Sequence, residues 1–216
     1  MGAPDNFAAK VQGGWPARRS CSGCAVDLAC LAFRSAGIVN TQHVDNGSII
    51  RGIHRELGIP PGYAASCGMP LQEECTNLVN TEIDVFGRQP QLDVEAFAAW
   101  QAMQSAAARA GITLQIVSAY RSFDYQKQLF MRKLARGDSL DNILQVNAAP
   151  GYSEHHTGRA LDIGCPGFPY LEEIFESSPA FLWLQENAKA FKFHLSFPKS
   201  NTSGIQYEPW HWCYQS

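Results

Sequence analysis

The chain lacks any run of about eighteen consecutive apolar residues, so no segment reads as a membrane-spanning helix. It also lacks a charge excess. Lys and Arg number 17 against 20 Asp and Glu, for a formal net charge of −3. No basic surplus is present to neutralise a phosphate backbone, so nucleic acid is not an expected partner. Internal repeats and low-complexity tracts are missing, which excludes solenoid and fibrous architectures. The first residues, Met1-Gly2-Ala3-Pro4-Asp5-Asn6, have neither a basic stretch nor an apolar core and do not read as a signal peptide. Charged residues make up only 17% while 45% are hydrophobic, the balance of a globular chain. With 216 residues, the length suits one domain plus an extension.

Cysteine, by contrast, is plentiful. Of the seven, Cys21, Cys24, Cys30, Cys67 and Cys75 come early, and Cys165 and Cys213 come late. Three readings stay open: two or three disulfides formed in an oxidising compartment with one odd thiol, a small zinc knuckle using Cys21 and Cys24 with Cys30 and a later Cys or His, or buried free thiols. A chain of this length buries about 70% of its unfolded surface, so its core does not depend on cross-links.

Residues 1–80 have weak periodicity and several turn signals, and we read them as a cysteine-rich extension that wraps the core. A short helix is expected over 25–36. Residues 81–216 form the expected domain. Asp93 can cap a helix running to Ala110, stopped by Gly111, with Phe97, Trp100, Met103 and alanines as its buried stripe. Residues 112–117 alternate with strand period. Ser122 can cap a helix from Phe123 to Arg136, and Ser178-Pro179 can open another reaching about Phe191. Further strands are expected at 160–164, 193–197 and 205–213. Helices and strands mix without strict βαβ alternation, which predicts α+β architecture: a small, mainly antiparallel sheet with flanking helices.

Two segments carry the chemistry: Ser153-Glu154-His155-His156-Thr157-Gly158-Arg159-Ala160-Leu161-Asp162, and Glu208-Pro209-Trp210-His211-Trp212. Taken singly, a His-His pair in a loop reads as polar surface, and a late Trp-His-Trp as a packed strand end. Jointly they supply imidazoles and carboxylates, the donor set of a catalytic zinc. His155 and Asp162 are seven residues apart. On one helix they would lie about 10 Å apart along the axis, and on one strand they would face opposite ways. The chain must therefore turn between them, and Gly158 is the obvious hinge. Asp162 then lies on the strand leaving the turn, and His211 arrives from a neighbouring strand. Pro209 interrupts regular pairing, so Glu208 and His211 can both face the site.

This pattern resembles the zinc D-Ala-D-Ala carboxypeptidases of the VanY/VanX type, whose signature reads S-x-H-x-x-G-x-A-x-D followed by E-x-W-H. Ser153, His155, Gly158, Ala160, Asp162, Glu208, Trp210 and His211 match every fixed position. Upstream, Ser118-Ala119-Tyr120-Arg121-Ser122 with Gln126 is similar to the family's S-G-Y-R-S-x-x-x-Q segment, with Ala119 in place of Gly. The likeness covers roughly residues 70–216 and does not extend to residues 1–50.

The resemblance implies that His155, Asp162 and His211 hold Zn2+ and that Glu208 is the general base. It implies that Arg121 contacts the substrate, that Ser153 and Gln126 help bind the substrate's C-terminal end, and that Tyr120 and Ser118 are further substrate-binding residues. His156 is not an expected ligand. Arg121 follows a predicted strand and precedes a helix N-terminus, which suits an anion site. Oxyanion stabilisation and capture of a terminal carboxylate both stay open for it. The implied activity is removal of a terminal D-alanine, in D,D- or L,D-linkage, from peptidoglycan stem peptides through a zinc-activated water. The implied location is extracytoplasmic. Alternatives are an endolysin-like L-Ala-D-Glu endopeptidase and a non-catalytic wall-binding relative. Of Trp210 and Trp212, one is expected under the metal site and one along the groove. Cys165 and Cys213 follow the two motifs closely, so strands meeting at one metal would allow a Cys165–Cys213 disulfide.

Overall fold

The computed structural model describes residues 45–215. Cys21, Cys24, Cys30 and the helix expected over 25–36 lie outside the described residues. The elements run α1 (Asn46–Leu57), α2 (Tyr63–Ser66), β1 (Leu78–Asn80), β2 (Gln91–Asp93), α3 (Val94–Arg109) and β3 (Gln115–Ser118). They continue with α4 (Phe123–Ala135), α5 (Leu140–Val146), β4 (Ala160–Gly164), α6 (Pro179–Asn187), β5 (Phe193–Leu195) and β6 (His211–Tyr214). A 3-10 turn at Glu154–Thr157 precedes β4.

Side-chain caps set most helix starts. The Asp93 carboxylate accepts from the backbone N–H groups of Glu95 and Ala96 at 3.1 and 3.3 Å. Ser122 accepts from Tyr125 N–H at 3.0 Å, and Ser178 from Phe181 N–H at 3.0 Å with Pro179 in the first turn. Each satisfies a donor that the helix itself leaves free. The first turn of α4 gains a second acceptor, because Phe123 N–H donates to the Glu74 carboxylate.

Three boundaries differ from the sequence expectation by more than two residues. The strand expected from residue 112 starts at Gln115. Gly111 turns left-handed at φ 76°, its N–H reaching Ala108 O at 3.0 Å and that of Ile112 reaching Ala107 O at 2.9 Å. This paired closure of α3 keeps Ile112 in the helix cap. The last strand begins at His211 rather than 205. Pro209 has no N–H, and the backbone turns instead, with His211 N–H donating to Glu208 O at 3.1 Å. The helix opened by Pro179 becomes 3-10 over Ala188–Phe191, and Lys192 ends it at φ 63°.

Four strands form an antiparallel sheet in the order β3-β4-β6-β5, and β1 pairs with β2 in a separate antiparallel ribbon. This is the small antiparallel α+β sheet expected. Side chains alternate between its faces. Leu161, Ile163, Trp212, Tyr214 and Phe193 point to a core shared with Trp100 and Met103 of α3 and Leu184 of α6. The stripe of α3 runs through Ala96, Trp100, Met103 and Ala107, while Phe97 is only partly buried. A second core gathers Ile50, Ile53 and Leu57 of α1 with Phe123 and Phe130 of α4, Ile143 and Phe197. Asp162 and His211 lie on the sheet face opposite Leu161 and Trp212.

The same registers correct the disulfide expectation. Cys213 stands opposite Ala160 on β4, and Cys165 lies five residues further along, about 16 Å of strand. Cys67, Cys75, Cys165 and Cys213 are all free thiols.

Gly158 closes the 3-10 turn at φ 66°, and its carbonyl accepts from Asp93 N–H at 2.8 Å. A Cβ there would meet Asp93 N at 2.8 Å and Leu78 Cδ2 at 3.0 Å. Gly167 is also left-handed, at φ 86°, but has open space around it. Gly158→Ala should therefore cost about 2–4 kcal/mol, backbone strain plus overpacking, and Gly167→Ala only about 1 kcal/mol. Urea unfolding of both variants checks this, and equal losses would refute the packing part.

Candidate active site

The central strands assemble the site in one row. Asp162 on β4 pairs with His211 on β6 and with Ser118 on β3, beside an irregularity between Ile116 and Ser118. Cross-strand partners share a face, so the three side chains stand side by side. His155 enters from the 3-10 turn, carried there by the reversal at Gly158. One ligating atom from each of His155, Asp162 and His211 lies within 4.8 Å of the others, and all three residues are buried.

Hydrogen bonds at the far side of each ring decide which nitrogen faces the centre. His155 Nδ1 lies 2.6 Å from Ala119 O, so it carries the proton and donates. His155 Nε2 is left buried without a hydrogen-bond partner, 3.4 Å from Asp162 Oδ2. A lone pair facing a carboxylate with no proton between them calls for a cation. His211 Nε2 is 2.8 Å from Glu154 Oε2, and its Nδ1 is 3.2 Å from Asp162 Oδ1. The carboxylate behind His211 and the carbonyl behind His155 are the outer partners that orient metal-binding imidazoles. Two neutral imidazoles and one carboxylate, with the fourth side open, fit a catalytic zinc.

The charges follow from burial and these contacts. Burial, then the Arg121 guanidinium, pushes the His155 pKa down to about 4. Burial also depresses His211, but the hydrogen bonds to Asp162 and Glu154 outweigh it and lift that pKa to about 10. Burial alone would raise Asp162, yet His155, His211 and Arg121 hold it well below the usual carboxylate range. Glu154 is likewise raised by burial and pulled down further by His211, to about 2. Glu208 goes the other way. Burial raises it to about 7 against the pull of His211, with Asp162 adding to the rise. Its Oε2 lies 3.8 Å from His211 Nδ1.

Arg121 follows β3 and is held at both ends. Its backbone N–H donates to His155 O at 3.1 Å, and its carbonyl accepts from His156 Nδ1 at 2.6 Å. Its guanidinium reaches Asp162 Oδ2 at 3.4 Å and Gln126 Oε1 at 3.3 Å, while Nε is buried without a partner. Gln126 is anchored by donating to Ala148 O at 2.9 Å. His156 turns away from the metal position, and its Nε2 accepts from Gly151 N–H at 3.0 Å.

A cleft of about 430 Å³ opens beside Ser118 and Asp162 of this row, walled also by Arg121, Glu208, Lys133 and Trp210 among others. That volume suits a short peptide. A recess of about 20 Å³ continues behind it, bordered by Ser153, Gln126, His155, Glu208 and His211. Tyr120 borders neither cavity. Burial, then Glu74 and Cys75, pushes its phenol up to about 12. Trp210 borders the cleft, whereas Trp212 is buried on the opposite sheet face with its Nε1–H donating to Pro209 O at 3.0 Å. Sequence reasoning missed Glu154 and Lys133. For Glu154 the only signal was its place beside His155. Lys133 read as one more cation in the last turn of a helix.

Several known proteins are similar to this chain. The family model for VanY, D-alanyl-D-alanine carboxypeptidase, matches residues 89–216. The putative carboxypeptidase YodJ of Bacillus subtilis (strain 168) is 38% identical over 122 residues, covering 54% of this chain and 44% of YodJ. A D-alanyl-D-alanine carboxypeptidase of Enterococcus faecium is 36% identical over 112 residues, 50% of this chain and 32% of the relative. The chain thus spans less than half the length of these two curated relatives. Among solved structures, the LdcB LD-carboxypeptidase superposes with a TM-score of 0.59 at 33% identity, over 67% of this chain and 71% of LdcB. VanYB in complex with D-alanine-D-alanine superposes with a TM-score of 0.54 at 26% identity, over 68% and 81%.

Zinc binding should release a proton. Without metal, His211 is an imidazolium between two carboxylates, because its pKa of about 10 lies well above neutrality. Ligation needs Nδ1 free, so the apparent affinity should rise about tenfold per pH unit between pH 7 and 9. Calorimetry in buffers of different ionisation enthalpy counts the proton, and a pH-independent affinity would refute the assignment. Glu154→Gln should flatten that dependence by lowering the His211 pKa.

Proposed function

The chain belongs to the VanY family of D-alanyl-D-alanine carboxypeptidases, and from that premise we propose that it is a zinc-dependent carboxypeptidase. Its substrate is a peptidoglycan stem peptide or precursor, from which it removes the C-terminal D-alanine outside the cytoplasm. The observation that carries this reading is the convergence of His155, Asp162 and His211, with Asp162 on the wall of a peptide-sized cleft, the two imidazoles on the recess beside it, and Glu208 and Arg121 bordering both.

His155 Nε2, the Asp162 carboxylate and His211 Nδ1 would hold the ion. Zinc bound there supplies Lewis acidity that polarises a carbonyl and acidifies water. Glu208 takes the proton of the attacking water and returns it to the leaving amine nitrogen. A pKa near 7 suits a group that must both accept and donate at neutral pH. The guanidinium of Arg121 faces the charge that develops on the scissile carbonyl oxygen. Its fixed position costs no reorganisation during the reaction. Gln126 orients that guanidinium, and the buried Ser153 offers a hydroxyl in the recess behind the ligands. Ser118 supplies polar wall to the cleft, and the Tyr120 backbone N–H ties the segment to β2 by donating to Gln91 O at 3.0 Å. Water attacks directly, with no covalent enzyme intermediate.

Mass spectrometry of defined muropeptides tests this reading. The zinc-loaded protein should remove one alanine from a pentapeptide or a tetrapeptide stem, and a chelator should abolish that loss until zinc is restored. The pentapeptide reports D,D-cleavage and the tetrapeptide L,D-cleavage. Cleavage between L-Ala and D-Glu, or no cleavage with zinc bound, would overturn the carboxypeptidase reading. Glu208→Gln should lower kcat by about 10²- to 10⁴-fold while zinc content and melting temperature hold.

A further inference from the structure

Three cations border the cleft, and two of them are already committed. Arg88 bonds the Asp84 carboxylate at 2.6 Å and Val117 O at 2.8 Å. Arg121 bonds Asp162 and Gln126. Lys133 is different. Its Nζ donates to the neutral Asn147 Oδ1, and among the described residues no carboxylate oxygen lies within 4.0 Å of it. The two lysines Lys127 and Lys199, by comparison, each contact a carboxylate, Glu56 and Glu176.

Lys133 is also half-buried. Burial lowers its pKa first, Arg136 and Arg121 lower it further, and only Asp138 and Glu208 oppose them. Asp138 is engaged by Arg136 at 3.5 Å, and Glu208 faces His211. A partly desolvated ammonium without a counter-ion is costly unless an anion completes it. Two of its three donors remain for that anion.

Its position says where the anion belongs. Tyr125, Leu129 and Lys133 recur at every fourth residue of α4, so one stripe of that helix walls the cleft. Asn147, the partner of Lys133, borders both the cleft and the recess behind the metal ligands. The Lys133–Asn147 pair thus stands where the two cavities meet, with Arg121 and Glu208 on the borders of both.

We propose that Lys133 supplies the charged contact for the free α-carboxylate of the residue that leaves, beside the Ser153 and Gln126 that the resemblance puts at that end, with Asn147 positioning its ammonium. This rests on the carboxypeptidase reading and divides the work left open for Arg121. Arg121, bonded to a metal ligand, serves the scissile carbonyl. Lys133 reads the terminal charge that makes a peptide end recognisable. It is a specificity-determining residue, and the bond-making chemistry stays with Glu208 and the metal position.

The test pairs each stem peptide with its C-terminal carboxamide, which keeps the scissile bond and removes the charge. The zinc-loaded wild type should strongly prefer the free acid. In Lys133→Gln, the acid-to-amide ratio of kcat/KM should fall about 10- to 100-fold, chiefly through KM for the acid. Lys133→Arg should recover part of that ratio. Melting temperature and zinc content of each variant separate misfolding from altered recognition. Equal losses on acid and amide, or an unchanged ratio, would overturn this inference and leave the carboxypeptidase reading standing. A wild type that cleaves neither substrate with zinc bound would overturn both.

Discussion

A buried carboxylate organises this structure. Asp162 sits on a central strand with its side chain almost fully withdrawn from water, and an isolated charge there would cost several kcal/mol. Two partners present protons to it and offset that cost, Arg121 after β3 and His211 from β6, while His155 from the 3-10 turn faces it with the lone pair of Nε2. The fold can therefore be read as the means of bringing those segments to one atom pair. The β4–β6 register supplies His211, the β3–β4 register brings the chain toward Arg121, and the left-handed Gly158 returns His155. A metal at this point adds a charge to a cage already shaped by Asp162. The protonated His211 fills the same electrostatic role when no metal is bound.

That dependence explains why outer residues are as constrained as the ligands. Ala119 contributes only a backbone carbonyl, but that carbonyl selects the tautomer that leaves His155 Nε2 facing Asp162. Glu154 does the same for His211 through Nε2. His156 bonds the Arg121 carbonyl and the Gly151 N–H, so one buried neutral imidazole ties the Arg121 segment to the loop that leads into the 3-10 turn. Burial holds its pKa at about 4, which keeps it uncharged and able to donate through one nitrogen and accept through the other.

Features set by local chemistry were legible in the sequence. Asp93, Ser122 and Ser178 mark helix starts because capping acts within three residues. β4 and the hinge at Gly158 followed from the spacing of His155 and Asp162. What depended on the partner strand was not legible. The Cys165–Cys213 pairing assumed that two motifs meeting at a metal also bring their flanks together. Antiparallel register carries those flanks apart instead. The start of β6 was hidden because Pro209 forces a turn that the alternation of residues 205–213 does not reveal. Glu154 and Lys133 escaped notice for a related reason. Each draws its role from a tertiary neighbour, His211 or the cleft, and not from its place in a pattern.

The charges around the cleft favour one order of assembly. Without metal, Asp162 and Glu208 lie near Arg121 and Lys133, Glu154 bonds His211 from behind, and the protonated His211 balances the charges while Glu208 is ionised. Replacing one proton by a divalent ion leaves the centre with surplus positive charge, in a pocket where partial burial weakens solvent screening. A substrate that ends in a carboxylate gains from that surplus, whereas a neutral chain end does not. Metal loading should then govern affinity for the peptide end as well as the reaction at it. On the proposed reading, the field that holds Asp162 ionised also draws a chain-terminal carboxylate toward the side of the cleft where Lys133 has no carboxylate of its own.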